Sequence, residues 1–331
     1  MKILISIFIT LVVLFLPLGY FVWAPEVRYE SVEVEESEDE TLDLVRLFFV
    51  GDIMMDRGVL EMANRHGEGD LGFIFNQWDL WESEDIVFGN LEGLVSDRGA
   101  DLGGLYSFRM PPVTLEVLRE EGFDVLSVAN NHAGDWGREA FVDTLHRLQG
   151  VGMLHPGGGL TRDQAIEPEV SSVSGLTIGW LGFTDTGPNW LEVGSDKPGI
   201  LLAADQNREE IISEAAEGVD LLVVSYHFGE EYEPQASSRQ RYLAESSIEA
   251  GARLVIGHHP HVIQEVERYE DGLIAYSLGN FVFDQYFSEE TMTGLVLEVE
   301  VAGSEIISVK KHISRQDEFY RPVFQNTTKL D

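Results

Sequence analysis

Between Val45 and His312, short runs rich in β-branched residues alternate with longer amphipathic stretches. That alternation restricts the chain to the α/β class. The runs predict strands at 45–50, 85–88, 124–129, 176–183, 220–225, 253–256, 273–278, 294–301 and 305–312. Helices are predicted over 112–121, 138–149, 208–217 and 238–250. The first of these opens on Pro112 and stops before Gly122, and the last stops at Gly251, the usual asymmetry of helix ends. A hydrophobic content of 44% with 10% aromatics is that of a chain with a core. Its 331 residues fit one large α/β domain, and no internal repeat is visible.

The strands share a way of ending. Val45–Val50 runs into Gly51-Asp52, and Ile86–Phe88 into Gly89-Asn90-Leu91-Glu92. Val125–Ala129 runs into Asn130-Asn131-His132-Ala133-Gly134-Asp135, and Leu176–Phe183 into Thr184-Asp185. Leu221–Ser225 leads to Tyr226-His227-Phe228-Gly229-Glu230-Glu231, Arg253–Ile256 to Gly257-His258-His259-Pro260-His261, and Ile274–Leu278 to Gly279-Asn280. Ligands bind open α/β sheets beyond the carboxyl ends of the strands, so these ends predict one convergent polar pocket. Asp, Glu, His and the Asn carbonyl suit divalent Mn, Zn, Fe or Mg. Each piece alone has an innocent reading: Gly-Asp is commonly a turn, Asn-Asn-His a loop cap, and Asp185 or Asn280 a loop residue. Five of the nine histidines crowd these ends, which packing does not account for, while His66, His146, His155 and His312 read as surface or packing residues.

Residues Ile3 to Trp23 carry no charge and follow Lys2. As a helix they would span about 31 Å, enough to cross a membrane. The apolar run is longer than that of a cleaved signal peptide, and Pro25 follows the Val22-Trp23-Ala24 site. Residues 1–24 are therefore expected to be a single-pass signal anchor, with the bulk of the chain extracytoplasmic. Residues 25–41 read as an acidic linker, 42–315 as the folded domain and 316–331 as a C-terminal tail or edge element. The absence of cysteine excludes thiolate chemistry. A net charge of −36, with only five lysines among 22 basic residues, excludes a general nucleic-acid binder. An acidic surface of this kind also suits high salt. An anionic substrate would need a local positive focus, which bound metal ions would provide.

These stretches resemble the CapA (PgsA) poly-γ-glutamate capsule synthesis family, a branch of the calcineurin-like metallophosphatase superfamily. The resemblance is carried in order by Gly51-Asp52-Ile53-Met54, Asn90-Leu91-Glu92, Ala129-Asn130-Asn131-His132 with Asp135 and Gly137, and His227-Phe228-Gly229-Glu230-Glu231-Tyr232. It continues through Gly257-His258-His259-Pro260-His261-Val262-Ile263-Gln264 and Tyr276-Ser277-Leu278-Gly279-Asn280-Phe281-Val282-Phe283-Asp284-Gln285. It implies a four-layer αββα sandwich with metals held at strand ends. By position, Asp52, Asn131, His227 and two of His258, His259 and His261 would be metal ligands, with His132 the residue that protonates a leaving group. Two departures stand out. The superfamily's Asp-x-His is here Asp52-Ile53-Met54, and Asn90 replaces a bridging aspartate, with Glu92 two positions on as a further ligand. Glu231 and Asp135 are candidates for acid/base roles or added ligands, and Asn280 for the pocket wall.

Three functions follow in order. The first is an anchored protein that supports synthesis or export of poly-γ-glutamate or a similar anionic polymer. The second is a metal-dependent hydrolase of a phosphoester or γ-glutamyl amide. The third is a non-catalytic scaffold that docks a membrane-bound synthetase.

Overall fold

A computed structural model of the chain describes residues 44–330. The expected membrane helix and acidic linker lie outside the described residues. No helix among the described residues is long and apolar enough to cross a membrane.

In chain order the main strands are β1 (Val45–Ile53), β2 (Ile86–Leu91), β3 (Phe123–Ser127), β4 (Glu169–Val173), β5 (Leu176–Thr184), β6 (Leu221–His227) and β7 (Leu254–His258). They continue with β8 (Val266–Tyr269), β9 (Gly272–Ala275), β10 (Asn280–Val282), β11 (Thr293–Ala302), β12 (Glu305–Gln316) and β13 (Pro322–Lys329). The helices that cover them are α1 (Arg57–His66), α2 (Val113–Glu120), α3 (Gly137–Gly150), α4 (Arg208–Glu217) and α5 (Ser238–Glu249). One sheet runs β13-β12-β11-β1-β2-β3, with β10 also beside β1; the other runs β8-β9-β7-β6-β5-β4. Strands β1, β2 and β3 are parallel, as are β5, β6, β7 and β9.

Three apolar clusters set the layers. Leu47 and Phe49 of β1, Ile86 and Phe88 of β2, Trp180 of β5, Val223 of β6 and Ile256 of β7 pack between the sheets. On the far side of the first sheet, Phe48, Val50 and Val87 meet Val59 and Ala63 of α1, Leu118 of α2 and Phe141 of α3. On the far side of the second, Leu222, Val224 and Val255 meet Ile211 and Ile212 of α4 and Leu243 of α5. Helices, sheet, sheet and helices stack in that order. The Phe88 and Trp180 rings stack across the sandwich at 5.7 Å and 8°. Such pairs contribute about 0.5–1.5 kcal/mol beyond their buried area.

Two details differ from the sequence expectation, and a third takes one of its two alternatives. The run predicted as one strand over 273–278 leaves its sheet after Ala275 and crosses over, so Asn280 begins β10 in the other sheet. Gly279 makes the crossing at φ +69°, a backbone that favours glycine. Helix α1 is not expected from the sequence; Gly58 lies in its first turn, and Asp56 at its N-cap makes no side-chain cap bond. The C-terminal stretch is an edge strand: β13 pairs with β12 from Gln316 opposite Pro322 to Lys310 opposite Lys329. Pro322 stands at its first residue, where a missing amide costs the ladder least.

Candidate functional site

Strand periodicity aims the polar strand ends. In β2, Ile86 and Phe88 face the inter-sheet core, so the alternation carries Asn90 to the same side. Leu221 and Val223 do this for His227 in β6, and Leu254 and Ile256 for His258 in β7. Strand β1 needs a correction, because Leu47 and Phe49 point inward and simple alternation would turn Asp52 out. The register supplies it: Phe49 opposes Phe88 but Asp52 opposes Asn90, so β1 carries one extra residue. That bulge returns Asp52 to the inner face. The strand ends also approach closely. A Cβ on Gly51 would lie 1.9 Å from the Gly279 carbonyl oxygen, and one on Gly257 2.0 Å from that of Tyr276.

The result is a buried basin at the top of the inter-sheet layer. Asn90 Nδ2 donates to Asp52 Oδ1 at 2.8 Å and to Glu92 Oε2 at 3.3 Å, tying the two carboxylates together. Asn90 Oδ1 in turn accepts from Asn130 Nδ2 at 3.2 Å. His261 lies between the carboxylates, with Nδ1 3.2 Å from Asp52 Oδ2 and Nε2 3.5 Å from Glu92 Oε1. Nδ1 is also 2.9 Å from Asn280 Oδ1. Asn280 donates to Gln285 Oε1 and the Thr291 carbonyl, so it orients His261. Beside this group, His227 Nε2 lies 2.8 Å from Asn131 Oδ1 and 3.1 Å from His259 Nδ1. The His259 amide donates to Asp52 Oδ2 at 3.3 Å. His259 and His261 hold φ of +99° and +58°, a conformation costly for non-glycine residues and concentrated at functional sites.

The remaining candidates surround the basin. His258 is buried against Phe88, its Nδ1 3.3 Å from Asp52 Oδ1 but not aligned for a hydrogen bond. His132 Nδ1 is 2.8 Å from Asp135 Oδ2, its ring packs on Phe108 at 4.1 Å, and its Nε2 faces Glu92 Oε1 at 3.9 Å. Asp135 Oδ2 also accepts from the Phe108 amide. Glu231 is exposed, yet one of its oxygens lies within 4.8 Å of nitrogens of His259 and His261. Asp52, Glu92 and His227 offer a second such triplet.

Asp185 turns away from the basin. Its carboxylate accepts from Arg239 Nη2 at 2.8 Å and Nε at 3.1 Å, and so braces α5. Met54, where a histidine would add a ligand, is buried with Phe108 and Phe283 in a small apolar cluster. Sequence reasoning did not single out Asn130, Phe108, Gln285 or Thr291 as supports. Asn130 was signalled only by its place beside Asn131, and Phe108 by nothing local.

The charges sort themselves. Burial alone would raise the Asp52 carboxyl, but the His258 and His261 rings outweigh it and hold it well below the usual range. Burial, with the neighbouring Asp52 charge, pushes Glu92 well above it. Burial and then His259 depress His227, and burial and then His261 depress His259 to about 4. Both imidazoles are thus neutral at pH 7, the form that offers a lone pair to a metal.

The bacterial capsule synthesis protein PGA_cap model matches residues 46–285. The chain is 34% identical over 296 residues to the PGA biosynthesis protein CapA of Bacillus subtilis (strain 168), covering 88% of this chain and 75% of the relative. It is 35% identical over 281 residues to the capsule biosynthesis protein CapA of Bacillus anthracis, covering 81% of this chain and 66% of that one. Among solved structures, a 5'-nucleotidase precursor from Thermus thermophilus shares 13% identity at a TM-score of 0.47, over 82% of this chain and 54% of that chain. At that similarity none of its chemistry transfers. Matched across 46–285 and about a third identical to both relatives, this chain belongs to the bacterial capsule synthesis protein PGA_cap family.

Proposed function

We propose that this chain supports the synthesis or export of poly-γ-glutamate, or a similar anionic capsule polymer, as a membrane-anchored protein with its bulk outside the cytoplasm. Family membership and the names of the two Bacillus relatives support the polymer; the uncharged run at 3–23 supports the anchor. A membrane-bound synthetase is the expected partner. The observation that carries the reading is the convergence of buried Asp52, Glu92, His227, His259 and His261 with half-buried Asn131.

The residues fit a divalent cation. Glu92 Oε1 and both ring nitrogens of His258 are buried without a hydrogen-bond partner, a costly state that a cation would relieve for the carboxylate. Asp52, Glu92 and His227 would hold a cation in one group, and His259, His261 and Glu231 in the other, with Asn131 beside His227. Mixed nitrogen and oxygen donors suit Zn, Mn or Fe, and the carboxylates also suit Mg. A bound cation would supply countercharge and Lewis-acid polarisation to a substrate carboxylate or phosphoryl oxygen. The chain's own contribution is positional: Asn90 clamps the two carboxylates, Asn280 orients His261, and the bulge sets Asp52.

One arrangement favours a hydrolase as the second reading. Asp135 engages Nδ1 of His132, which leaves Nε2 facing the basin as the position that would exchange a proton with substrate.

The test uses the purified full chain. Elemental analysis should find stoichiometric divalent metal, reduced in His227→Ala and His261→Ala, and the loaded protein should retain poly-γ-glutamate. Metal-free protein at neutral pH that binds no polymer would sink the proposal. Turnover of a phosphodiester or γ-glutamyl amide that disappears in His132→Ala would place the hydrolase reading first.

A further inference from the structure

The chain has 58 acidic and 22 basic residues, yet some basic side chains among the described residues form no ion pair. Two such cations meet at one atom. Arg138 Nη2 donates to the Trp190 carbonyl oxygen at 2.9 Å, and Lys197 Nζ to the same oxygen at 3.4 Å. Among the described residues neither forms an ion pair, although Glu139 and Glu192 are nearby in sequence and exposed. The Arg138 guanidinium also lies over the Trp190 ring at 5.5 Å, and its Nη1 is buried with no acceptor. Burial lowers the Arg138 pKa, and no neighbouring carboxylate opposes that shift. One carbonyl cannot satisfy both heads, and two cations around it repel each other. If anchoring the 189–197 segment were their whole task, one cation would suffice.

The place of this pair bears on the basin. Trp190 packs against Gly134, where a Cβ would lie 2.7 Å from the indole, in the loop that carries Asn131, His132 and Asp135. We propose that Arg138 and Lys197, gathered at the Trp190 carbonyl, form a second binding site that takes a carboxylate of a polyanionic chain whose neighbouring unit lies in the basin. A guanidinium engages a carboxylate with paired, charge-assisted hydrogen bonds, and the ammonium adds a point charge. The inference rests on the reading above only in taking the carboxylate from a polymer.

The probes are a γ-linked glutamate oligomer, α-linked polyaspartate and neutral dextran, titrated onto the full chain. Arg138→Gln and Lys197→Gln should each weaken both polycarboxylates by about tenfold, the worth of one charge-assisted hydrogen bond. Metal content and melting temperature should stay at wild-type values, Arg138→Lys should recover part of the loss, and dextran should not bind. Equal wild-type affinity for the two polycarboxylates, with both weakened in the variants, would uphold this site while overturning a preference for the γ-glutamyl polymer. Wild-type affinity in both glutamine variants, or no binding of either polycarboxylate to wild type, overturns the site.

Discussion

Asn90 is the residue at which this basin departs most from one bridged by a carboxylate. Its amide nitrogen donates to Asp52 and Glu92 together, a task that an aspartate could not perform. Asn90→Asp would replace a donor with a third buried carboxyl beside Asp52 and Glu92. In chelated protein this should cost about 1–3 kcal/mol of unfolding free energy. Added Mn²⁺ or Zn²⁺ should shrink or reverse the deficit, because a cation supplies the countercharge. Urea unfolding with EDTA and with metal measures both values; the same deficit in each would remove the cation from this basin. Asn90's identity was legible in the sequence, but its role was not. The clamp depends on Glu92 curling back beside Asp52, which no spacing reveals.

At the scale of elements, the bulge in β1 and helix α3 carry the site. Gly51 lets the bulged strand lie against Gly279. Gly51→Ala should cost about 3 kcal/mol or more, since backbone rather than a flexible side chain must move. Calorimetry checks the loss, and an unchanged melting temperature would mean that the strands can part without penalty. Helix α3 is held to the 94–98 segment by Asp143, which accepts from Ser96 Oγ and Arg147 Nε, both at 2.7 Å. Burial opposes its charge, but Ser96 and the arginines 147 and 98 hold its carboxyl below the usual range. A carboxyl depressed in the folded state stabilises fully above its unfolded pKa, about 3.9, and loses that contribution as pH falls through the folded value. Asp143→Asn should therefore lower stability by about 1–3 kcal/mol at pH 7, and the gap to wild type should narrow as pH falls below about 3.9, as read by urea unfolding. The helices were the most legible part of the fold: the predicted 138–149 is observed as Gly137–Gly150, because an amphipathic period is a local signal. The crossing at 276–279 and the bulge before Asp52 are set by partners distant in sequence, so local patterns do not disclose them.

For the whole molecule, the net charge of −36 governs both stability and the approach of a polyanion. The same carboxylates that repel one another would repel a polymer of glutamate. The basin's cation and the Arg138–Lys197 pair are local reversals of that field, which is why binding is expected at those places and not broadly over the surface. Self-repulsion gives a prediction that depends on no site. Raising NaCl from 0.01 to 1 M shortens the Debye length from about 30 Å to about 3 Å. Repulsion between surface carboxylates is then screened, while short, buried pairs such as Glu298 with His312 at 2.7 Å are screened much less. Melting temperature should therefore rise by several degrees across that range, with most of the gain below about 0.2 M, where the screening length falls fastest. Calorimetry in a chelated buffer measures it, with sucrose as the control for general exclusion from the surface. A flat or falling curve would show that the acidic surface is already balanced by its arginines, and would remove adaptation to salt as the reason for so few lysines.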